Sequence, residues 1–430
     1  MRHTMKPVLA GLLIALMTRA TPLTAQEVPL RLQGELRLRG EAERTAVIDT
    51  LDAFTLLRAR IGLEAELAKN ARVFLQLQDA RTFGEEQGTM DASADRLDLH
   101  QGWLELVRPV GRVQLGIRVG RQEISLGSER LVGAVGWSNT GRAFDAARLT
   151  LTRPEATWQV SALAANVRER GRRLLGTNTG ERSDQLLFGG YADTRIVDAF
   201  LFLDRADTIR NFTDIDRVTL GGRLDAPTSG GLTAWLEGAY QLGNQLSGAI
   251  LPPTSPDQDI RAYLLGGRLG YAMDARLAAL GIGLDYLSGD ETPLDDEYSA
   301  FYTMYHTGHK WYGYMDLFLD PAARTGDRGL VDAIASATVR LARDVPLTLD
   351  VHRFWTAAQR APDEPSDLGW ELDLTMPFTI APGQRLQLGY SAFRTGDAAP
   401  LANIGAPGRW AHWGYLMATF SFDQRLRPTT

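Results

Sequence analysis

Charged residues of both signs are concentrated in one short stretch of the sequence, residues 119–151. Three arginines and three carboxylates lie between its two alternating ends: Arg121, Glu123, Glu129, Arg130, Arg142 and Asp145. Guanidinium and carboxylate groups this close together either pair with one another inside the protein or present part of their charge to a solute. The stretch begins and ends with alternating apolar and polar residues, which is typical of β-strands. We therefore predict a charged loop carried between two strands.

The N-terminal residues have the plan of a secretory signal peptide. Basic residues precede the apolar run from Val8 to Met17, and small residues follow as far as Ala25. We predict that residues 1–25 are removed and that residues 26–430 form the mature protein. The apolar run is too short to cross a bilayer as a helix, and no later run reaches the roughly 18 residues that such a helix needs. A membrane location would therefore require a β-barrel.

The composition excludes several classes of function. The chain has no cysteine, so it can form neither disulfides nor a cysteine zinc site, and it has no thiol nucleophile. Its formal net charge of −6 argues against nucleic acid as a partner. All but three of the 46 basic residues are arginine, whose planar fork suits carboxylate and phosphate better than lysine does. A GC-rich genome would produce the same bias.

Alternating apolar and polar residues recur along the mature chain. Clear examples run from Leu30 to Arg39 and from Leu57 to Leu67, and counting such segments gives roughly 18 strands. Short and long connections follow one another in strict alternation, and a slip near residues 100–103 predicts a β-bulge. The fold class is therefore all-β, a transmembrane antiparallel β-barrel with short periplasmic turns and long extracellular loops. A β-helix would show a fixed repeat, and a sandwich would not need strands this long.

The polar face of the early strands carries a set of arginines that could line a path for anions. Its members are Arg37, Arg39, Arg58, Arg60, Arg118 and Arg148. A row of guanidinium groups would offer successive weak sites to a passing polyanion, since strong binding at one site would stall it. The alternative is that these arginines only pair with acids across the lumen. For the charged stretch described first, we expect an inward-folded loop that narrows the pore, with its charges bracing the loop more than contacting solute.

Two further groups of residues could in principle do chemistry. His306, His309 and Asp316 could ligate a metal, although histidines among so many aromatic residues are more often packing residues. Asp350 and His352 share a strand face, and serines also lie on polar faces, which would suit a barrel hydrolase. The sequence shows no recognisable arrangement of a nucleophile, a base and an orienting group. We therefore expect no enzymatic activity, no cofactor and no metal.

Two spaced blocks carry a family resemblance. The first block begins at Gly120-Arg121-Gln122-Glu123 and includes the motifs that follow it up to Asp145. The second runs from Phe301 to Phe318, with Gly329–Asp332 beyond it. Together they resemble the alginate-export family of outer-membrane porins. The resemblance implies an 18-stranded barrel with an arginine-lined, anion-selective lumen through which a polyuronate such as alginate passes outward. The alternative is a general diffusion porin for small solutes.

The resemblance and the barrel pattern also define the expected partners. These are outer-membrane lipid and lipopolysaccharide, an anionic polysaccharide or small anionic solute, and periplasmic export proteins. We expect the barrel to be monomeric.

Overall fold

The computed structural model describes residues 28–47, 50–83, 97–153, 155–170, 183–208, 213–246, 257–273, 277–293, 295–342 and 345–426. The predicted signal peptide, residues 1–25, lies outside the described residues. The strands are β1 (Leu30–Arg44), β2 (Asp52–Ala68), β3 (Ala71–Phe83), β4 (Leu97–Val110), β5 (Val113–Gln122), β6 (Phe144–Thr152), β7 (Gln159–Arg170), β8 (Ser183–Asp193), β9 (Val197–Thr208), β10 (Thr213–Ser229), β11 (Leu232–Leu246), β12 (Asp257–Ala272), β13 (Leu277–Leu287), β14 (Glu297–Tyr298), β15 (Leu330–Ala342), β16 (Val345–Trp355), β17 (Asp367–Ala381), β18 (Gln384–Thr395) and β19 (Trp410–Leu426).

All of these strands except β14 form one closed antiparallel barrel. Each strand pairs with its neighbours in the chain, and β1 also pairs along its length with β19, from Leu30 opposite Leu426 to Arg44 opposite His412. The two-residue β14 lies outside this ring and pairs in parallel with β12. The prediction of an antiparallel barrel of 18 strands is confirmed.

The two faces of the wall differ as the alternation predicts. On β1, Leu36 and Leu38 point outward and are 41% and 39% exposed, whereas Arg37 and Arg39 point inward and are each 4% exposed. Outward aromatic rings accompany the apolar band, for example the stacked pair Tyr263 and Tyr286, whose centroids are 5.6 Å apart. An apolar exterior around a polar, filled interior is the pattern of a membrane-spanning barrel.

Short turns close one rim of the barrel and long loops occupy the other. Gly111 between β4 and β5 has φ +62°, and Gly383 between β17 and β18 has φ +76°, a left-handed conformation that glycine adopts without strain. The predicted bulge is confirmed, because the pairing of β3 with β4 shifts register at His100, which has no residue opposite it on β3. Bulges of this kind tilt and twist a strand locally.

Two of the long connections fold into the barrel. The first lumen loop, residues 123–143, joins β5 to β6, and the second lumen loop, residues 288–329, joins β13 to β15. The second contains β14, a 3₁₀ turn at Gly308–Lys310 and the short helix α1 (Pro321–Thr325), whose N-terminus is capped by Asp320. Apolar side chains of both loops pack against the inward faces of the barrel strands in one buried cluster. Among the described residues, no helix is long and apolar enough to cross a membrane.

Candidate functional site

Arginines of β1 and β2 hold the first lumen loop by its backbone. Arg37 donates to two carbonyls within residues 136–138 at 2.8 and 2.9 Å, and Arg58 donates to the same two at 3.0 Å. Arg39 donates to the carbonyl between them at 2.7 Å. Bonds to peptide oxygens leave the charge of a guanidinium in place. Arg39 and Arg58 are neutralised by Glu41 and Glu35, each 2.6 Å away, whereas Arg37 has no ion pair among the described residues. These three residues of the predicted substrate path are anchors for the loop.

Arg60 and Glu123 secure the beginning of the same loop. Arg60 Nη1 lies 3.1 Å from Glu123 Oε1, and its Nε donates to Gln78 at 2.6 Å. Glu123 also lies 2.7 Å from Nε2 of His100. Although burial opposes ionisation, the His100 bond and the Arg60 charge hold the pKa of Glu123 below its usual value. The carboxylate therefore stays charged and keeps the loop at the barrel wall.

The two lumen loops are joined to each other by main-chain bonds. Val132 and Tyr305 form a parallel β-bridge, and Tyr305 N donates to the carbonyl of Leu131 at 2.8 Å. Thr307 adds a backbone bond of 2.9 Å to the carbonyl of Glu129 and a hydroxyl bond of 2.5 Å to its carboxylate. The two sequence blocks that carry the family resemblance therefore meet inside the barrel, although they lie more than 150 residues apart in the chain.

Arg130 ties this loop pair to the barrel wall. Its side chain is fully buried, with nitrogen atoms 3.0 Å from Asp285 and 3.3 Å from Glu237, and its guanidinium lies 3.8 Å from the centroid of the Trp311 ring. Burial lowers the pKa of Arg130, but the two carboxylates outweigh it and hold that pKa above its usual value. Arg130 thus bridges both loops and two strands as a permanent cation.

Arg142 supports the loops without any carboxylate. Its Nη1 donates to the carbonyls of Gly133 at 3.3 Å, of His306 at 3.1 Å and of Tyr305. Burial lowers the pKa of Arg142 from its usual value, since no acid within the described residues pairs with it. Its charge therefore contributes to the potential inside the lumen.

Arg121 and Asp145 do not brace the loop, contrary to expectation. They pair with each other at 3.0 Å with side chains 38% and 58% exposed, on the face of β5 and β6 that also presents Val119 and Leu149 outward. The physical reason is strand alternation, which places Arg121 on the same side as Val119. This correction leaves Glu123, Glu129, Arg130 and Arg142 as the loop-bracing residues.

Arg118 and Arg148 face the lumen opposite one another on β5 and β6. Arg118 pairs with Glu105 at 2.9 Å and lies 3.9 Å from the ring of Trp103. Arg148 donates only to the hydroxyl of Ser161, at 3.1 Å, and no described carboxylate pairs with it. Of the six predicted path arginines, Arg148 thus joins Arg37 in carrying an unneutralised charge.

The histidines of the second lumen loop are packing residues. His309 stacks on Trp137 with ring centroids 3.9 Å apart, and its Nδ1 lies 2.9 Å from Asp316. His306 bonds the carbonyl of Leu319, and burial lowers the pKa of His306 to about 4. Within the described part of the chain, no group of three or more histidine or acidic side chains could hold a metal ion.

The inward face of β15 to β17 is acidic. His352 lies between Asp332, at 2.9 Å, and Asp373, at 3.7 Å. Within the described residues, Ser336 and Ser391 donate to Asp350 and Asp373, and neither bonds the imidazole. Glu371 accepts a bond from the backbone of Met315 and is fully buried, as are Asp332 and Asp373. These three carboxyl groups are therefore out of contact with solvent, whereas Asp350 and His352 line a cavity of the lumen.

Two cavities lie on either side of the lumen loops. The extracellular cavity, about 660 Å³, reaches from the upper ends of β1 and β19 to the loops and is lined by Arg39, Trp137 and Arg324. The periplasmic cavity, about 480 Å³, lies between the loop tips and the lower ends of β11, β12 and β13, and it is lined by Lys310 among others. Tyr314 lines both cavities, so its side chain stands between them.

Sequence reasoning singled out Asp350 and His352 but missed the cationic residues of the periplasmic cavity. Arg223, Trp235, Arg268, Lys310 and Trp311 line it together with Tyr314. The alternation of β10 to β12 already marked the first three as candidates for the polar face. A further signal was the rarity of lysine, since Lys310 is one of three in the chain.

Comparison with known proteins identifies similar barrels. The family described as Alginate export matches residues 28–404. Among solved structures, Pseudomonas aeruginosa OccK11 (OpdR) is similar at 14% identity, with 92% of this chain and 96% of that chain covered and a TM-score of 0.56. Pseudomonas aeruginosa OpdK with vanillate is similar at 11% identity, with 91% of this chain and 99% of that chain covered and a TM-score of 0.57. Acinetobacter baumannii OccAB1 is similar at 11% identity, with 93% of this chain and 97% of that chain covered and a TM-score of 0.56. No curated protein sequence matches the chain.

The likeness to these structures, at such low identity, concerns the fold alone. The family match is broader evidence, because residues 28–404 contain every strand from β1 to β18 and both lumen loops. The matched family and the closed barrel are those of transport channels in the outer membrane. The chain belongs to the alginate-export family, and it is an outer-membrane β-barrel channel.

Proposed function

We propose that this channel passes anionic solutes across the outer membrane and that its preferred solute is an anionic polysaccharide, an alginate-like polyuronate. A polyuronate carries one carboxylate per sugar, so it can exchange one cationic partner for the next as it moves. The family to which the chain belongs supports this choice of solute. The proposal assigns no catalytic step to the protein.

The observation that carries the proposal is a set of lumen cations without carboxylate partners. Arg37 and Arg142 bond backbone carbonyls, Arg148 bonds a hydroxyl, and Lys310 has no ion pair among the described residues. Hydrogen bonds to neutral oxygens leave a cation's charge uncancelled. In a lumen with low-dielectric walls such charges raise the local concentration of anions. The buried acids of β15 and β17, Asp332, Glu371 and Asp373, reach the solute path less directly.

A general diffusion porin for small solutes is the second candidate, and the lumen loops favour it. Both cavities fall within the about 300–1,000 Å³ typical of small-molecule sites. A polymer would need the loops to move, whereas a small anion needs only the region around Tyr314 to open. Block of the ionic current by polyuronate but not by a neutral glucan would favour the polymer.

Reversal potentials in planar bilayers under a salt gradient test the anion preference. We expect the wild-type channel to prefer anions and the double variant Arg37→Gln/Arg148→Gln to prefer them less. Arg121→Gln is the matched control, because it removes the same kind of charge from the outward face of the wall, where Asp145 pairs with it and salt screens it. A cation-selective wild-type channel, or an equal loss of preference in the control, would contradict the proposal.

The expected partners follow from the surfaces of the barrel. The apolar outward face indicates contact with outer-membrane lipid. Contacts with lipopolysaccharide and with periplasmic export proteins stay predictions, as does the monomeric state.

A further inference from the structure

The periplasmic cavity has the composition of a binding site. It is lined by the tips of both lumen loops, by the lower halves of β10 to β13 and by the middle of β15 and β16. Cationic, hydroxylic and aromatic side chains all contribute to its wall. The cavity lies on the side from which an exported solute would arrive, and none of the six arginines predicted from sequence lines it.

Its charge balance favours an anion. Arg223, Arg268 and Lys310 line the cavity, against a single carboxylate, Asp350. Arg268 is neutralised by Asp285, 2.8 Å away, and Arg223 lies 2.7 Å from a half-exposed Asp225. The side chain of Lys310 is exposed and has no ion pair among the described residues. One ammonium charge is therefore available to a ligand, and the guanidinium of Arg223, which is 18% exposed, lies in the same wall.

Its aromatic wall favours a ring. Three guanidinium groups, those of Arg130, Arg223 and Arg268, each lie 5.4 Å from the centroid of the Trp235 ring. Trp311, whose ring also lies 3.8 Å from the Arg130 guanidinium, packs edge-on against Trp235 with centroids 5.9 Å apart. Indole surfaces are apolar and suit the C–H face of a sugar ring. Thr233, beside them in the wall, adds a hydroxyl.

The three features together select one chemical class. A simple inorganic anion would use only the cations, and a neutral sugar would use only the rings and hydroxyls. A hydroxylated six-membered ring with one carboxylate, the repeating unit of a polyuronate, would use all three. We propose that the periplasmic cavity is a subsite for a single hexuronate unit, with Lys310 and Arg223 binding its carboxylate and Trp235 and Trp311 contacting its ring. This inference rests on the proposed function and names its first binding site.

Block of single-channel current by monomeric hexuronate tests the subsite. Because the cavity lies below the lumen loops, hexuronate added to the periplasmic side should block at lower concentration than hexuronate added to the extracellular side. Glucose, which lacks the carboxylate, and acetate, which lacks the ring, should block far less. Lys310→Gln should weaken the periplasmic block by about ten- to hundredfold, because it removes a charged hydrogen bond to the carboxylate of the hexuronate.

Lys69→Gln is the matched control for Lys310→Gln. Lys69 lies in the short turn between β2 and β3, so the variant removes the same charge from the same side of the membrane outside the cavity, and its block should equal that of wild type. Arg223→Gln is a second variant for the case in which Lys310→Gln does not assemble. Quenching of tryptophan fluorescence by hexuronate gives a readout that does not depend on conduction.

The subsite and the proposed function fail in different ways. A channel that is anion-selective and blocked by polyuronate, but in which hexuronate blocks equally from both sides and equally in Lys310→Gln, would overturn the subsite and leave the function standing. A channel without anion preference in salt alone would overturn the proposed function. Equal block by acetate and hexuronate would also overturn the subsite, because the ring would then contribute nothing.

Discussion

Replacing Arg130 by methionine should release the lumen loops from the barrel wall. Arg130 is fully buried and links the loop pair to Asp285, and it shares Glu237 with Ser128 of the first lumen loop. Methionine keeps apolar contact with the Trp311 ring but removes the charge and every hydrogen-bond donor. The variant therefore tests whether ion pairing holds the loops in place.

The free-energy cost of Arg130→Met depends on which partners Glu237 and Asp285 keep in the variant. Removing one partner of a buried ion pair costs about 3–5 kcal/mol when the other is left uncompensated. Asp285 keeps Arg268 at 2.8 Å, and Glu237 keeps the hydroxyl of Ser128 at 2.8 Å. We therefore expect the lower end of the range, about 3 kcal/mol, which is roughly a hundredfold shift of the loop equilibrium toward released states.

Single-channel recording measures that shift as the fraction of time spent in high-conductance states. Arg121→Met is the matched control, because it breaks an exposed pair with Asp145 that contributes about 0–1 kcal/mol. Arg130→Met should show about a hundredfold more time in high-conductance states than wild type, and Arg121→Met should not differ. Identical recordings from the two variants would refute the view that Arg130 holds the loops.

Three further predictions concern the same loops. Gly127→Ala should displace the first lumen loop and raise conductance, because the new Cβ would lie 1.8 Å from a tyrosine hydroxyl. Its control, Gly111→Ala, has the same sign of φ but no atom within 4 Å of the new Cβ, so its conductance should not change. Because the pKa of His306 is lowered to about 4, released states bind its proton more readily, so high-conductance events should increase as pH falls from about 6.5 toward 4 and be constant above that window. The increase should be smaller in His306→Gln, and an equal increase would assign the pH response to other groups. Tyr314→Ala should join the two cavities and raise small-ion conductance without added fluctuation; unchanged conductance would mean that the solute path runs elsewhere.

The wall of the barrel was predictable because its signal is local. Side chains alternate with a period of two residues, so Arg37 and Arg39 could be assigned to the inward face from their immediate neighbours. The same rule contained the correct position of Arg121, two residues after the outward Val119. Arg121 was instead grouped with the loop-bracing residues because it is close to them in the sequence.

The partners of the inward arginines were not predictable, because they lie far away in the chain. Arg37 bonds a carbonyl 99 residues downstream, and Glu129 bonds a threonine 178 residues downstream. No periodicity in a single sequence encodes which inward loop reaches which strand. Pairing with acids, the alternative for this set, occurs at Arg58, which pairs with Glu35 at 2.6 Å, and not at Arg37 among the described residues. Once a loop fills the lumen, its backbone carbonyls also accept hydrogen bonds from a guanidinium.

The two transport hypotheses differ in how they depend on the contacts between the lumen loops. A small anion has only to pass Tyr314, where the two cavities meet, whereas a polymer needs the loops to part. Parting breaks the Val132–Tyr305 bridge and the ion pairs of Arg130. Arg130→Met should therefore increase the rate at which polyuronate enters and blocks the channel by far more than it increases small-anion conductance. Equal increases would mean that both solutes use a path that the loops do not control, and the polymer would then lose its structural support as the preferred solute.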